Sequence, residues 1–185
     1  MSETSHGLSH QGFLDSLAHF ADDILKQNAN ASIFASCGQL MAESLLNNGK
    51  ILSMGFDLTD HISQQLTTML TANPDKPRPA LPAVSFQASN MGIAKLRSVA
   101  REEDFMVVFG CQDDLQRRDQ VIEQCTQTNC TSVLFTPDLD GVHSNDKTLE
   151  IRLEYNSQAT YQTSLSAICG YLVQTIEYHL FEDNH

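Results

Sequence analysis

Apolar side chains recur along this chain with two different periods. Between Gly12 and Asn48 the spacing is helical. Phe13, Leu14, Leu17, Phe20, Ile24 and Leu25 make one stripe; Ile33, Phe34, Cys37, Leu40, Met41, Leu45 and Leu46 make a second. Asn28-Ala29-Asn30 separates the stripes, and Asn47-Asn48-Gly49 supplies residues that tolerate the left-handed turn ending many helices. A helical hairpin over residues 12–48 is the expectation.

The middle of the chain changes character. Short apolar or β-branched runs occur at Ile51–Met54, Ala83–Phe86, Phe105–Phe109, Ser132–Phe135 and Leu149–Leu153. Between the first four lie Asp60–Leu70, Met91–Arg101 and Asp114–Thr128, each long enough for a helix. Strands alternating with helices imply βαβ crossovers and a parallel sheet covered on both faces. The four most apolar runs are expected in the centre of the sheet. Leu149–Leu153 alternates apolar with charged residues, as an edge strand does. A last helical stripe, Leu165, Ile168, Cys169, Leu172, Val173, Ile176 and Leu180, runs to Leu180-Phe181 before the polar residues EDNH.

These elements predict an α/β protein: a three-layer αβα sandwich around a five-stranded parallel sheet of flavodoxin-like type. The expected organisation is one domain over 1–185, comprising a hairpin at 12–48, a sheet core at 50–154 and a C-terminal helix at 157–181. The terminal helices carry more apolar surface than one small sheet covers, so they are expected to make oligomer contacts in a homodimer or homotetramer.

Charge narrows the function. Eleven Lys and Arg against 23 Asp and Glu give a net charge of −12. Binding to a nucleic-acid duplex or an anionic membrane needs clustered cations, so neither is expected. No apolar run approaches the ~20 residues of a bilayer span, and the first residues lack the features of a signal peptide. Five cysteines without a CxxC pair read as reduced thiols in a cytoplasmic protein.

In an open parallel sheet, ligands bind at the carboxyl ends of strands. Three loops therefore draw attention: Gly55–Asp60, Gly110–Asp114 and Thr136–Gly141. Asp57, Asp60, Asp113, Asp114, Asp138 and Asp140 could converge on a divalent cation, or simply be solvated caps, the reading preferred here. Cys111 could be a nucleophile, although Asp113 and Asp114 oppose a thiolate. His61 reads as a surface residue. Cys125 and Cys130 lack the second pair that a zinc site requires. Neither a metal nor a cofactor is expected.

The order of elements resembles the sugar isomerase (SIS) domain, and within it phosphoheptose isomerase and the initiator-associating protein DiaA. The resemblance rests on Ser44-Leu-Leu-Asn-Asn-Gly-Lys-Ile-Leu52, on Arg78-Pro-Ala-Leu-Pro-Ala83 and on Thr148-Leu-Glu-Ile-Arg152. It implies ligand-binding loops at Gly55, Asp57 and Thr59 and at Cys111, Gln112, Asp113 and Asp114. Both loops depart from the family. Its first loop, C-G-N-G-x-S, stands here as Met54-Gly-Phe-Asp-Leu-Thr59. Its phosphate loop, S-T-x-G-N-S, stands as Gly110-Cys-Gln-Asp-Asp-Leu115, with every hydroxyl gone and two carboxylates in place. Hydroxyls and backbone N–H groups at a helix N-terminus suit a phosphate dianion; carboxylates oppose it. The family's catalytic Glu and His fall on Thr68 and Leu165, neither of which transfers a proton at neutral pH. The segment between Asn90 and Glu103 is also shorter than in the family. No catalytic residue is therefore assigned.

What the resemblance retains is the C-terminus. Chains of the DiaA type end this helix with a Leu-Phe pair that contacts the replication initiator DnaA. Leu180-Phe181 matches that ending, so it is the expected partner anchor, the plainer alternative being a cap on the oligomer's own helices. The leading expectation is a non-catalytic, DiaA-like oligomeric scaffold for DnaA. The rival is a phosphosugar-binding or phosphoheptose isomerase-type protein.

Overall fold

A computed structural model describes residues 28–72, 77–110, 115–137, 147–153 and 157–182. The elements are α1 (Asn28–Leu46), β1 (Ile51–Gly55), a single 3-10 turn (Asp57–Thr59), α2 (Asp60–Thr71), β2 (Ala83–Gln87), α3 (Asn90–Val99), β3 (Phe105–Phe109), α4 (Leu115–Gln127), β4 (Thr131–Pro137), β5 (Thr148–Leu153) and α5 (Gln158–Glu177). A π turn, Tyr178–Glu182, follows α5. The expected helix at 13–25 lies outside the described residues.

All five strands are parallel, in the order β2-β1-β3-β4-β5. Alternation along the central strands explains the two faces. Ile51, Phe105, Val107, Phe109, Val133 and Phe135 point into one core with α1, α2 and α5. Leu52, Met54, Met106, Val108 and Leu134 point into the other, with Leu96 of α3 and Val121 and Cys125 of α4. Because both faces are covered, these strands read as continuous apolar runs rather than alternating ones. The αβα sandwich and its five-stranded parallel sheet are as expected from the sequence.

Two expectations need correction. β2 is an edge strand, not a central one: Val84 is exposed and no residue of the strand is fully buried. Its composition, Ala-Val-Ser-Phe-Gln, gives a half-buried strand despite its apolar start. Second, Asn28-Ala29-Asn30 is the first turn of α1 rather than a break before it.

The motif Ser44–Leu52 works as framework. Asn48 takes φ 61°, closing α1, and Gly49 donates to Ser44 O at 2.8 Å. A Cβ on Gly49 would lie 2.1 Å from Glu103 O, so only glycine fits there. Asp104, almost fully buried, accepts from Lys50 N at 3.0 Å, Lys50 Nζ at 2.6 Å and Arg101 N at 2.9 Å, joining the amino ends of β1 and β3. Among the described residues no helix is long and apolar enough to cross a membrane.

Candidate functional site at the strand carboxyl ends

The chain leaves β1 toward β2 on one side and leaves β3 toward β4 on the other, so the topological switch lies between β1 and β3. The first loop folds back over this point. Gly55 ends β1 so close beneath it that a Cβ would meet Thr59 O at 2.2 Å. Phe56, fully buried, packs into the core beneath α3 and α4. The Thr59 hydroxyl accepts from Phe56 N at 2.8 Å and lies 2.7 Å from Phe109 O, to which it donates. A side chain from β1's loop thereby stitches the end of β1 to the end of β3.

Helix α5 closes the same end from the side. The buried Tyr161 hydroxyl donates to Gly110 O at 2.9 Å and lies 3.3 Å from Phe135 O, which also receives Gly110 N at 2.8 Å. Gln162 Nε2 donates to Leu58 O at 2.6 Å. The carbonyls of Phe109, Gly110 and Phe135 thus find partners within the protein, as buried polar groups must. Neither Tyr161 nor Gln162 was singled out from the sequence. The available signal was Tyr161 four residues before Leu165, on the same buried helix face.

Of the first-loop residues, Asp57 and Thr59 diverge. Asp57 adopts φ 43° and turns its exposed carboxylate outward, Oδ1 lying 4.0 Å from Arg117 Nη1. Arg117 also donates to Ala88 O at 2.7 Å, linking α4 to the end of β2. Thr59 turns inward. Asp60 accepts from Gln64 Nε2 at 2.8 Å, and His61 is exposed. Cys111, Gln112, Asp113 and Asp114 lie outside the described residues, as do Asp138 and Asp140. Among the described residues no group of three or more His, Cys, Asp or Glu side chains is placed to hold a metal ion.

No family model matches the chain, and no curated protein sequence does. Solved structures do. A phosphoheptose isomerase from Francisella tularensis superposes with a TM-score of 0.70 at 18% identity, covering 88% of this chain and 97% of that one. Phosphoheptose isomerase GmhA from Neisseria gonorrhoeae gives 0.68 at 17% identity, over 88% and 97%. The sugar isomerase domain of an RpiR transcription factor from Sphaerobacter thermophilus gives 0.60 at 12%, over 89% and 90%. The fold is that of the SIS domain.

Within the SIS fold, the two positions onto which catalytic residues carry over can now be placed. Thr68 is an exposed α2 residue whose hydroxyl donates back to Gln64 O at 2.9 Å. Leu165 is fully buried in the core. Where α2 and α5 do face each other through polar groups, Ser166 Oγ donates to Gln65 Oε1 at 3.0 Å. An amide and a hydroxyl hold the helices together there without supplying a general base. Three buried thiols are held in the protonated form. Burial pushes Cys37 and Cys169 up to about 12. A hydrogen bond with Cys125, then burial, raises Cys130 further, and its Sγ donates to Asp104 O at 3.1 Å.

At the far end of the SIS fold, Leu180 and Phe181 separate. Leu180 packs against the α1/α2/α5 core, whereas Phe181 is 43% exposed on the π turn. Beneath that turn, Arg78 donates through Nε to Glu177 Oε1 at 2.7 Å, through Nη1 to Leu70 O at 2.8 Å and through Nη2 to Met69 O at 2.9 Å. One guanidinium thereby caps the last carbonyls of α2 and pins the end of α5.

Proposed function

We propose that this chain is a non-catalytic protein of SIS fold that acts by holding a protein partner, and that the partner is the replication initiator DnaA. The observation that carries the non-catalytic part is the Thr59 hydroxyl. It is the one hydroxyl that the first loop keeps, and it is buried and bonded to Phe56 N and Phe109 O rather than turned toward a ligand. Phe56 stands at the position of the family's asparagine and is fully buried, and Thr68 and Leu165 bring no acid or base. The partner part draws on the resemblance of the C-terminus to the DiaA ending and on the exposure of Phe181. An acidic, cytoplasmic protein reaches DNA through a basic partner rather than directly. As a homodimer or homotetramer it would present several copies of one surface, raising avidity without new contacts.

The rival reading, phosphosugar binding or isomerisation of the phosphoheptose type, is favoured by the function named for two of the superposed structures. One pair of experiments decides between them: calorimetry against sedoheptulose 7-phosphate and a pull-down with the cognate DnaA. Retained DnaA with no heat from the sugar is the expected result. Turnover would overturn the non-catalytic reading, saturable heat without turnover would favour the phosphosugar-binding rival over the scaffold, and an empty pull-down would overturn the partner.

A further inference from the structure

Helix α4 ends in a turn that brings two cysteines together. Asn129 takes φ 61°, Cys130 N donates to Cys125 O at 3.0 Å, and Asn129 N donates to Thr126 O at 3.2 Å. These two bonds make a Schellman ending, which sets the side chain after the left-handed residue against the one five positions earlier. A hydrophobic contact is usual at that place; here both side chains are thiols. The path between the two Cα atoms runs through the 3.0 Å hydrogen bond, so they lie no more than about 7 Å apart, the limit for bridging. Cys125 and Cys130 are 2% and 1% exposed and share one core cluster with Leu96, Val121 and Leu134. Cys37 and Cys169 lie in the opposite core, on different helices.

We propose that Cys125 and Cys130 are a peroxide-responsive dithiol, which closes to an intramolecular disulfide when the last turn of α4 opens. The inference rests neither on the partner nor on the fate of the sugar loop. While the turn is shut both thiols are shielded. Cys130 Sγ donates to Asp104 O at 3.1 Å, and its neighbour Cys125 and then burial hold it protonated. The turn itself is lightly held. Towards this end of α4 the apolar contacts come from Val121, Ile122 and Cys125, while Thr126, Gln127 and Asn129 are exposed. A helix end with so few buried contacts opens at a lower cost than the whole fold. Cys125 moves with the helix, meets water and loses its proton there. Its thiolate attacks one oxygen of hydrogen peroxide: the S–O bond forms, the O–O bond breaks, and the departing hydroxide takes up a proton as water. When the turn shuts, the Cys130 sulfur attacks the sulfenic sulfur. The S–S bond forms, the S–O bond breaks, and hydroxide leaves with the Cys130 proton as a second water. The two electrons given up by the thiols reduce the peroxide. Closure removes the proton donated to Asp104 O, so it trades a tie to the start of β3 for a tie to α4.

The test treats the folded full chain with hydrogen peroxide, unfolds it in N-ethylmaleimide and digests it with trypsin. Cleavage after Arg118 and after Lys147 leaves both thiols on one peptide. That peptide is expected to be unlabelled and lighter by two hydrogens, and to accept two labels once dithiothreitol has reduced it. Cys37 and Cys169 should keep their labels over the same exposure, closure being at least roughly tenfold faster than their oxidation. C130S should trap on Cys125 a sulfenic acid that dimedone labels, whereas C125S should give no dimedone adduct at Cys130. Should either variant fail to fold, the map of the unsubstituted chain decides alone. Two labels still present on the peptide when Cys37 or Cys169 has been oxidised would overturn the proposal. So would closure seen only in unfolding urea, a disulfide joining two chains on a non-reducing gel, or a dimedone adduct on Cys130 in C125S.

Discussion

Arg78 and Glu177 meet 2.7 Å apart, 99 residues distant in sequence, with side chains only 6% and 7% exposed. Removing one partner of such a pair strands a buried charge, which typically costs about 3–5 kcal/mol. R78A and E177A should therefore each lower stability on that scale in urea unfolding. R78K should recover only part, since an ammonium cannot serve Glu177, Leu70 O and Met69 O in one plane. The double substitution R78M/E177M should lose less than the sum of the single ones, because it leaves no orphaned charge.

Thr59 makes a sharper isosteric test. T59V keeps the shape but removes the shorter of the partners of Phe56 N and Phe109 O in a buried setting, leaving the direct bond between them at 3.3 Å. It should destabilise by about 2 kcal/mol, whereas T59S should stay within about 1 kcal/mol of the parent. If T59V were neutral, the hydroxyl would not be the tie between β1 and β3.

Introducing the residue types of a sugar isomerase should have unequal effects at the two positions. T68E changes an exposed helical site and should leave stability nearly untouched. L165H places an imidazole at a fully buried core position and should cost about 3 kcal/mol or more. Thermal denaturation of the two variants side by side checks this, and an equal, small effect would mean that Leu165 is not packed as described.

Leu180 and Phe181 should come apart in the same way. L180A removes core contacts and should lower the melting temperature; F181A removes an exposed ring and should leave it nearly unchanged. In the DnaA pull-down only F181A isolates binding from folding. Loss of retention in F181A at an unchanged melting temperature is the expected result.

The buried thiols give a pH signature. Cys37 and Cys169 ionise at about 12 in the folded protein but near 9 when unfolded. The folded state therefore holds the protons longer, and the stability this confers is full below pH 9. It falls as the pH rises from 9 toward 12, by up to about 1.4 kcal/mol per pH unit for each thiol. C37A and C169A should each flatten that decline in urea titrations between pH 8 and 10.5. Undiminished slopes in both would show that other groups set it.

The fold was readable because parallel-sheet burial writes itself plainly: Phe105–Phe109 and Ser132–Phe135 are apolar at every or nearly every position, and the helices between them keep their period. β2 was misplaced because Ala83-Val84 looks like its neighbours when only hydropathy is counted; sheet order depends on crossovers, which hydropathy does not encode. The departures of the first loop were visible as substitutions, but their meaning was not. That Thr59 turns inward, and that Tyr161 reaches the ends of β3 and β4, depend on contacts 50 and 51 residues apart. The split between Leu180 and Phe181 was partly legible, since Leu180 continues the apolar stripe and Phe181 falls outside it; the π turn that carries them was not.

Phe56 also bears on the history open to this protein. A lineage moving from here toward an amide-rich sugar loop must pass through an asparagine at a position with no solvent exposure, emptying a ring-sized space beneath α3 and α4 and burying an amide there. Any benefit from a new ligand contact arrives only after that loss of stability. The loop sits on the far side of an adaptive valley, and packing rather than chemistry sets its depth.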